Sequence, residues 1–167
     1  MAVRMELTRI FIRELNDIQI IELTERDGTR TFPIVIGLPE AMAIERRLKG
    51  LVAPRPQTHD LLASVIRHLG ATLVRIEIHE LSGGTFFARL ILDRDGETIT
   101  VDSRPSDAIA LGVAEGVPIE VAEAVLEEAR ANPPGAEPAA AGGIGFEVVD
   151  EEDDVEDEGD EEDRPWT

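Results

Sequence analysis

The chain states nearly the same pattern twice, and that repetition limits the folds open to it. Arg9-Ile10-Phe11-Ile12-Arg13-Glu14-Leu15 returns as Arg75-Ile76-Glu77-Ile78-His79-Glu80-Leu81, 66 positions later. Glu25-Arg26-Asp27-Gly28 returns as Asp93-Arg94-Asp95-Gly96 at an offset of 68, and Pro39-Glu40-Ala41-Met42-Ala43-Ile44 returns as Ser106-Asp107-Ala108-Ile109-Ala110-Leu111 at an offset of 67. Three matches at nearly one offset imply a duplicated unit. Most repeated residues are then scaffold, and the places where the repeat breaks are where function is to be sought.

Period-two alternation marks strands near residues 9–13, 18–25 and 30–36, with Asp27-Gly28 as a hairpin turn. Ala41, Ile44 and Leu48 lie at helical spacing and predict a helix over about 40–49, stopped by Gly50. A second helix is expected over about 59–69, with Leu61, Leu62, Val65, Ile66 and Leu69 on its apolar face, Thr58 as N-cap and Gly70 as its stop. The second half repeats the order: strands near 72–81, 85–93 and 97–102, a helix over about 106–115, a short extended segment 117–121, and a helix over about 122–131. Each half is three strands followed by two helices. Strands that arrive in hairpin-linked runs point to an α+β fold and away from a doubly wound sheet. The expected architecture is one curled, partly barrel-like sheet shared by both copies, with helices outside.

The net charge of −19 is concentrated at one end. Residues 132–167 hold fourteen acidic residues and one arginine, a net of −13, which leaves −6 for residues 1–131. The change of composition begins at Asn132-Pro133-Pro134-Gly135. A segment so acidic and so poor in apolar residues cannot offset its ordering entropy, so residues 132–167 are expected to be a disordered acidic tail behind a domain spanning 1–131. Within it, Ile144-Gly145-Phe146-Glu147-Val148-Val149 is a short apolar stretch suited to docking, and Trp166 reads as an exposed terminal residue. The tail is a solubilising segment or one that competes with nucleic acid for basic residues of the domain. There is no cysteine, which excludes disulfides, thiolate metal sites and cysteine nucleophiles and fits a cytoplasmic location. No segment approaches the ~18 apolar residues of a membrane span, and the first residues carry no apolar signal-peptide run.

Two segments do not read as scaffold: Pro54-Arg55-Pro56-Gln57-Thr58-His59-Asp60 and Asp102-Ser103-Arg104-Pro105-Ser106-Asp107. Both place Arg-Pro, a hydroxyl residue and an aspartate at a helix start. Helix capping explains Thr58, Ser106 and Asp107. It does not explain Asp102, which stands where the first copy has Val35, nor the arginines that precede proline. Arg55 and Arg104 would hold a phosphate at the helix N-termini. His59 would carry a proton near neutral pH, with Asp60, Asp102 and Asp107 as the other catalytic candidates. Asp102, Asp107 and Glu40 would ligate a divalent metal such as Mg²⁺ or Mn²⁺. Arg46, Arg47 and Lys49 would extend a backbone-binding track. His68 and His79 read as structural or exposed. No Walker loop, H-E-x-x-H or nucleophile elbow is present.

Phe32-Pro33-Ile34-Val35-Ile36-Gly37 with Glu40-Ala41, then Arg55 to Leu62, then Ile99 to Leu111 resemble the bifunctional nuclease domain family, once a bacterial domain of unknown function and found also in plants. The resemblance spans about residues 3–131. It implies an α+β domain that forms homo-oligomers, a dimer being favoured, and a nuclease acting on DNA and RNA. It brings no catalytic residues of its own. Against a nuclease stand the acidic domain and the 4% aromatic content without tyrosine, which gives few platforms for stacking bases. The alternatives are a non-catalytic binding or regulatory module whose arginine loops hold an anionic ligand or partner protein, and an enzyme acting on a small molecule at the helix N-termini.

Overall fold

The computed structural model describes residues 1–12 and 18–131. Arg13, Glu14 and Leu15 of the first repeat, and the expectations placed on the tail, on Ile144–Val149 and on Trp166, lie outside the described residues. The first half runs β1 (Ala2–Phe11), β2 (Ile18–Glu25), β3 (Thr31–Gly37), α1 (Leu38–Leu48) and α2 (Thr58–His68). The second runs β4 (Thr72–Ser82), β5 (Thr85–Arg94), β6 (Glu97–Ser103), α3 (Pro105–Glu115), β7 (Ile119–Ala122) and α4 (Glu123–Ala131). The repeated motifs fall on corresponding elements: β1 and β4, the β2–β3 and β5–β6 turns, and α1 and α3.

The strands form one mixed sheet in the order β3-β2-β1-β7-β4-β5-β6. Two antiparallel meanders flank β7, which runs antiparallel to β1 and parallel to β4. The sheet has two edges, β3 and β6, so among the described residues it does not close into a barrel. Phe32 of β3 and Phe86 of β5 nevertheless meet on the core side, with ring centroids 5.5 Å apart.

Alternation sets which face is buried. Ile21 and Leu23 on β2, Phe32, Ile34 and Ile36 on β3, and Ala88, Leu90 and Leu92 on β5 point into one core with Met5, Ile44, Ile109 and Leu111. The two hairpin loops of the second half are two-residue turns. Ser82 pairs with Thr85 and Arg94 with Glu97, and Gly83, Gly84, Asp95 and Gly96 all have positive φ. The first half departs from this. Thr24 pairs with Thr31, so Asp27-Gly28 sits in a wider loop, closed by Arg30 Nε donating to Glu25 Oε2 at 2.9 Å.

The helices differ in burial because they differ in sequence. α3 is apolar nearly all round and buries Pro105, Ser106, Ala108, Ile109, Ala110, Leu111 and Gly112. Gly112 lets it lie close to the sheet, since a Cβ there would meet Ile76 Cδ1 and Val117 Cγ2, each at 3.3 Å. α2 buries only Ala63. The apolar face expected for this helix is largely outside the core: Leu61 is 57% exposed and Leu69 68%. The N-cap of α2 is Gln57, one residue before the expected Thr58.

Candidate active site at three helix N-termini

α1, α2 and α3 begin in the same way. Their N-cap residues Gly37, Gln57 and Arg104 are all extended, α1 and α3 carry proline in the first turn, and each first turn holds one acid: Glu40, Asp60 and Asp107. The N-terminal ends meet around a cleft of about 300 Å³, lined by Pro39, Glu40, Ala43, Gln57, Thr58, His59, Arg104 and Asp107. The two Arg-Pro loops of the sequence thus come together, through residues at their helix ends.

One hydrogen-bonded chain crosses the cleft. His59 Nε2 lies 2.9 Å from Asp107 Oδ1. Arg104 donates from Nε to Asp107 Oδ2 at 2.7 Å and from its second amino group to Oδ1 at 3.1 Å. Its first amino group donates to Glu40 Oε1 at 2.9 Å. Burial pushes the Asp107 carboxyl up, but hydrogen bonds from Arg104 and His59 and their charges outweigh it, and its pKa falls below the ordinary value. The guanidinium of Arg104 is held still more firmly protonated by the hydrogen bonds to Asp107 and then Glu40.

The ionised Asp107 only accepts hydrogen bonds, so Nε2 of His59 is the donor. In the neutral ring the lone pair then sits on Nδ1. A histidine fixed in one tautomer by a carboxylate, beside helix N-termini, is an arrangement able to exchange a proton with a group held at an anion site.

The other candidate residues are placed elsewhere. Asp60 does not line the cleft. It accepts from Arg46 at 2.8 Å, from Arg47, and from the Gln57 backbone N–H at 3.1 Å. Burial raises the Asp60 pKa, but these hydrogen bonds and charges lower it overall. Arg46 and Arg47, expected to hold phosphate, are 16% and 7% exposed and face this carboxylate instead. Arg55 is exposed in the bend before α2 and is not a lining residue. His68 lies on α2 with Nδ1 donating to the Ser64 carbonyl at 2.7 Å, and His79 lies on β4.

Asp102 is exposed on the edge strand β6 and does not line the cleft. Its partner across the sheet is Arg89, which stands opposite Glu77. That row alternates with Ala88 and Leu90, so it belongs to the face away from the core. Glu77 there accepts from Arg75 at 2.7 Å and Arg89 at 2.6 Å. The three carboxylates expected to hold a metal are therefore not assembled. Asp102 faces away, and Arg104 already bridges Asp107 and Glu40. Among the described residues no group of three or more His, Asp or Glu is placed to hold a metal ion.

The pairing of Glu40 with Arg104 and the lining role of Gln57 were not legible in the motifs. The signal available for them was positional: both sit at a helix start equivalent to those of Asp107 and Arg104.

Comparison with known proteins adds a family. A sequence model described as the bifunctional nuclease domain matches residues 21–134. An uncharacterized protein of Mycobacterium tuberculosis (strain CDC 1551 / Oshkosh) is 46% identical over 110 residues, covering 66% of this chain and 65% of that protein. Bifunctional nuclease 1 of Oryza sativa subsp. japonica is 29% identical over 105 residues, covering 60% of this chain and 32% of that protein. Bifunctional nuclease 2 of the same plant is 30% identical over 105 residues, with the same coverage. The chain thus spans just under two thirds of the mycobacterial relative and about one third of the rice proteins.

Proposed function

We propose a nuclease-related function on this premise: the chain belongs to the bifunctional nuclease domain family. The reaction centre in this reading is the cleft at the N-termini of α1, α2 and α3. The observation that carries it is the 2.9 Å contact of His59 Nε2 with Asp107 Oδ1 inside that cleft. A phosphodiester of DNA or RNA would lie at the helix N-termini, where free N–H groups and the helix dipoles favour an anion. His59 would take a proton at Nδ1 from the water as its oxygen bonds to phosphorus, the P–O bond to the leaving oxygen would break, and the imidazolium, stabilised by Asp107, would return that proton to the leaving oxygen. Arg104 would keep Asp107 ionised and present its exposed edge to the phosphate.

A divalent metal would supply Lewis-acid charge and an activated water. Asp102, Asp107 and Glu40 do not fit it as they stand, so no step is assigned to a metal. The two halves, which share three strands and two helices in that order with β7 added between the helices of the second, are read as an internal duplication in which α1 and α3 bring equivalent N-termini to one cleft.

The test is cleavage of single-stranded DNA and RNA by the purified full chain, with Mg²⁺, with Mn²⁺ and with EDTA, beside His59→Ala and Asp107→Asn. Loss of about 10²- to 10⁴-fold in both variants is expected for a general acid–base pair. Equal cleavage by all three proteins would place the activity in a contaminant, and no cleavage by wild type would end the nuclease reading.

A second reading, a binding or regulatory module for an anionic ligand or partner protein, is favoured by one observation. Arg104, the arginine among the described residues that line the cleft, is already paired with Glu40 and Asp107, which suits it to holding a ligand more than to stabilising a transition state. Binding of the same oligonucleotides without cleavage would select it. Among the described residues no helix is long and apolar enough to cross a membrane. The absence of cysteine supports a cytoplasmic location. A homo-oligomer, with a dimer favoured, is supported by the exposed stripe of Leu61 and Val65 on α2 and Leu69 at its C-cap, which a second copy's stripe matches under twofold symmetry.

A further inference from the structure

α2 carries His59, yet apolar packing holds it weakly, because Ala63 is its only buried residue. Its position on α3 must be fixed by something else. Among the described residues, one side chain that links all three site helices is Arg47, near the end of α1, its side chain 7% exposed. Its Nε donates to the Ala110 carbonyl of α3 at 2.6 Å, and its terminal nitrogen pairs with Asp60 Oδ1 of α2. Asp60 directly follows His59 in the chain, and Ala110 lies three residues after Asp107, about one helical turn. The two partners of Arg47 are therefore neighbours of the two partners in the His59–Asp107 hydrogen bond.

We propose that Arg47 is a positioning residue: it sets α2 against α3 and thereby holds His59 Nε2 on Asp107. The guanidinium suits this task. Its planar fork binds a carboxylate on one edge while Nε reaches a carbonyl, which the single ammonium of a lysine does not reproduce. Its burial adds rigidity, since a charge removed from water must keep its partners. Arg46 supports the same carboxylate from Asp60's other oxygen, 2.8 Å away, but makes no described bond to α3. The effect on rate rests on the reading of His59 as a proton carrier, whereas the effect on its geometry does not.

The experiment follows the His59 ring in the full chain by ¹⁵N-histidine NMR, with His59→Gln identifying its signals among the three histidines. The wild type is expected to show a hydrogen-bonded Nε2–H. Arg47→Gln loses that signature, as Asp107→Asn does, while thermal unfolding stays cooperative. Where activity is present, kcat falls about 10- to 100-fold with KM nearly unchanged, the scale expected for a misplaced catalytic group. Arg47→Lys, which retains a charge, is expected to give the same loss and serves if Arg47→Gln does not fold. Arg67→Ala removes the exposed α2–α3 ion pair between Arg67 and Glu115, 3.5 Å long, and is expected to leave the signature intact. A wild-type signature in Arg47→Lys, or in Arg47→Gln where it folds, overturns the proposal. So does equal loss in Arg67→Ala, which would mean that any loosening of α2 suffices. A lost signature in a protein that never cleaves nucleic acid would sustain the positioning role and reject the nuclease.

Discussion

His59 Nε2 and Asp107 Oδ1 stand 2.9 Å apart, one at the start of α2 and the other at the start of α3. Because Asp107 is held ionised, the contact leaves the proton on Nε2 and the lone pair on Nδ1. Asp107→Asn keeps the size of the side chain but offers an amide donor, which turns the histidine to the other tautomer. Cleavage is expected to fall about 10²- to 10⁴-fold. Circular dichroism should be unchanged, since Asp107 caps no described backbone amide. Undiminished cleavage in a folded Asp107→Asn protein would remove the pair from the mechanism.

Stability should decline in acid. Asp60, Asp107 and Glu77 all have pKa values below their ordinary ones in the folded state, because the cost of burial is outweighed by the Gln57 backbone N–H and arginines at Asp60, by Arg104 and His59 at Asp107, and by Arg89 and Arg75 at Glu77. A depressed folded pKa means that the unfolded chain binds protons first as the pH drops. The stabilisation from these groups is full above the ordinary values, 4.5 for Glu77 and 3.8 for the aspartates, and is lost as the pH falls through the lower folded values. Thermal unfolding between pH 7 and pH 3 should show a falling midpoint mainly below about pH 4.5. Glu77→Gln should cost about 1–3 kcal/mol at pH 7, where Arg89 loses its charged partner and Arg75 keeps only Glu120, and should flatten the acid slope. A slope identical to wild type would show that Glu77 does not contribute to it.

Arg104→Ala should make the cleft receptive to divalent metal. The guanidinium now neutralises Glu40 and Asp107 together, at 2.9 Å and 2.7 Å. Without it two carboxylates face one another, and a cation that binds the folded state stabilises it by mass action. Mn²⁺ should then raise the unfolding midpoint of the variant by about 2–4 °C more than that of wild type, equivalent to roughly 1 kcal/mol in a chain of this size. The acidic residues of 132–167 are common to both proteins and cancel in the comparison. Equal shifts would show that Arg104 is not what keeps a metal out.

Local patterns made the elements legible. Hydrophobic alternation in Ile18–Glu25 and the Gly-Gly and Asp-Gly turns specify strands and hairpins from neighbouring residues alone, and the observed strands follow them. The insertion of β7 between β1 and β4 was not legible, because it depends on pairing residues such as Val3 with Val121 across nearly the whole domain. In the site, His59 and Asp107 were named from their loops, but a sequence does not show which side of a strand end a carboxylate faces. Asp102 differs from its counterpart Val35 and so attracted a catalytic role, whereas its register opposite Arg89 places it in a charged row on the far face of the sheet. Arg46 and Arg47 read as a surface track because charge alone does not reveal a partly buried partner 13 or 14 residues away.

The stripe on α2 gives the last prediction. Leu61, Val65 and Leu69 follow one another at four-residue intervals and are 57%, 44% and 68% exposed. Helical spacing of this kind normally marks a buried face, and here the domain's own core is already filled by α3. A contiguous apolar surface rimmed by polar groups marks a contact with another molecule. If that molecule is a second copy, Leu61→Gln with Val65→Gln should lower the molar mass in light scattering to that of one chain, 18.2 kDa. The change in monomer stability should stay within about 0.5 kcal/mol, as is usual for exposed positions. The His59 signature should survive as well, since Arg47 and not the stripe holds α2 on α3. A wild-type protein that already runs at the single-chain mass would refute the self-association and leave the stripe to a different partner.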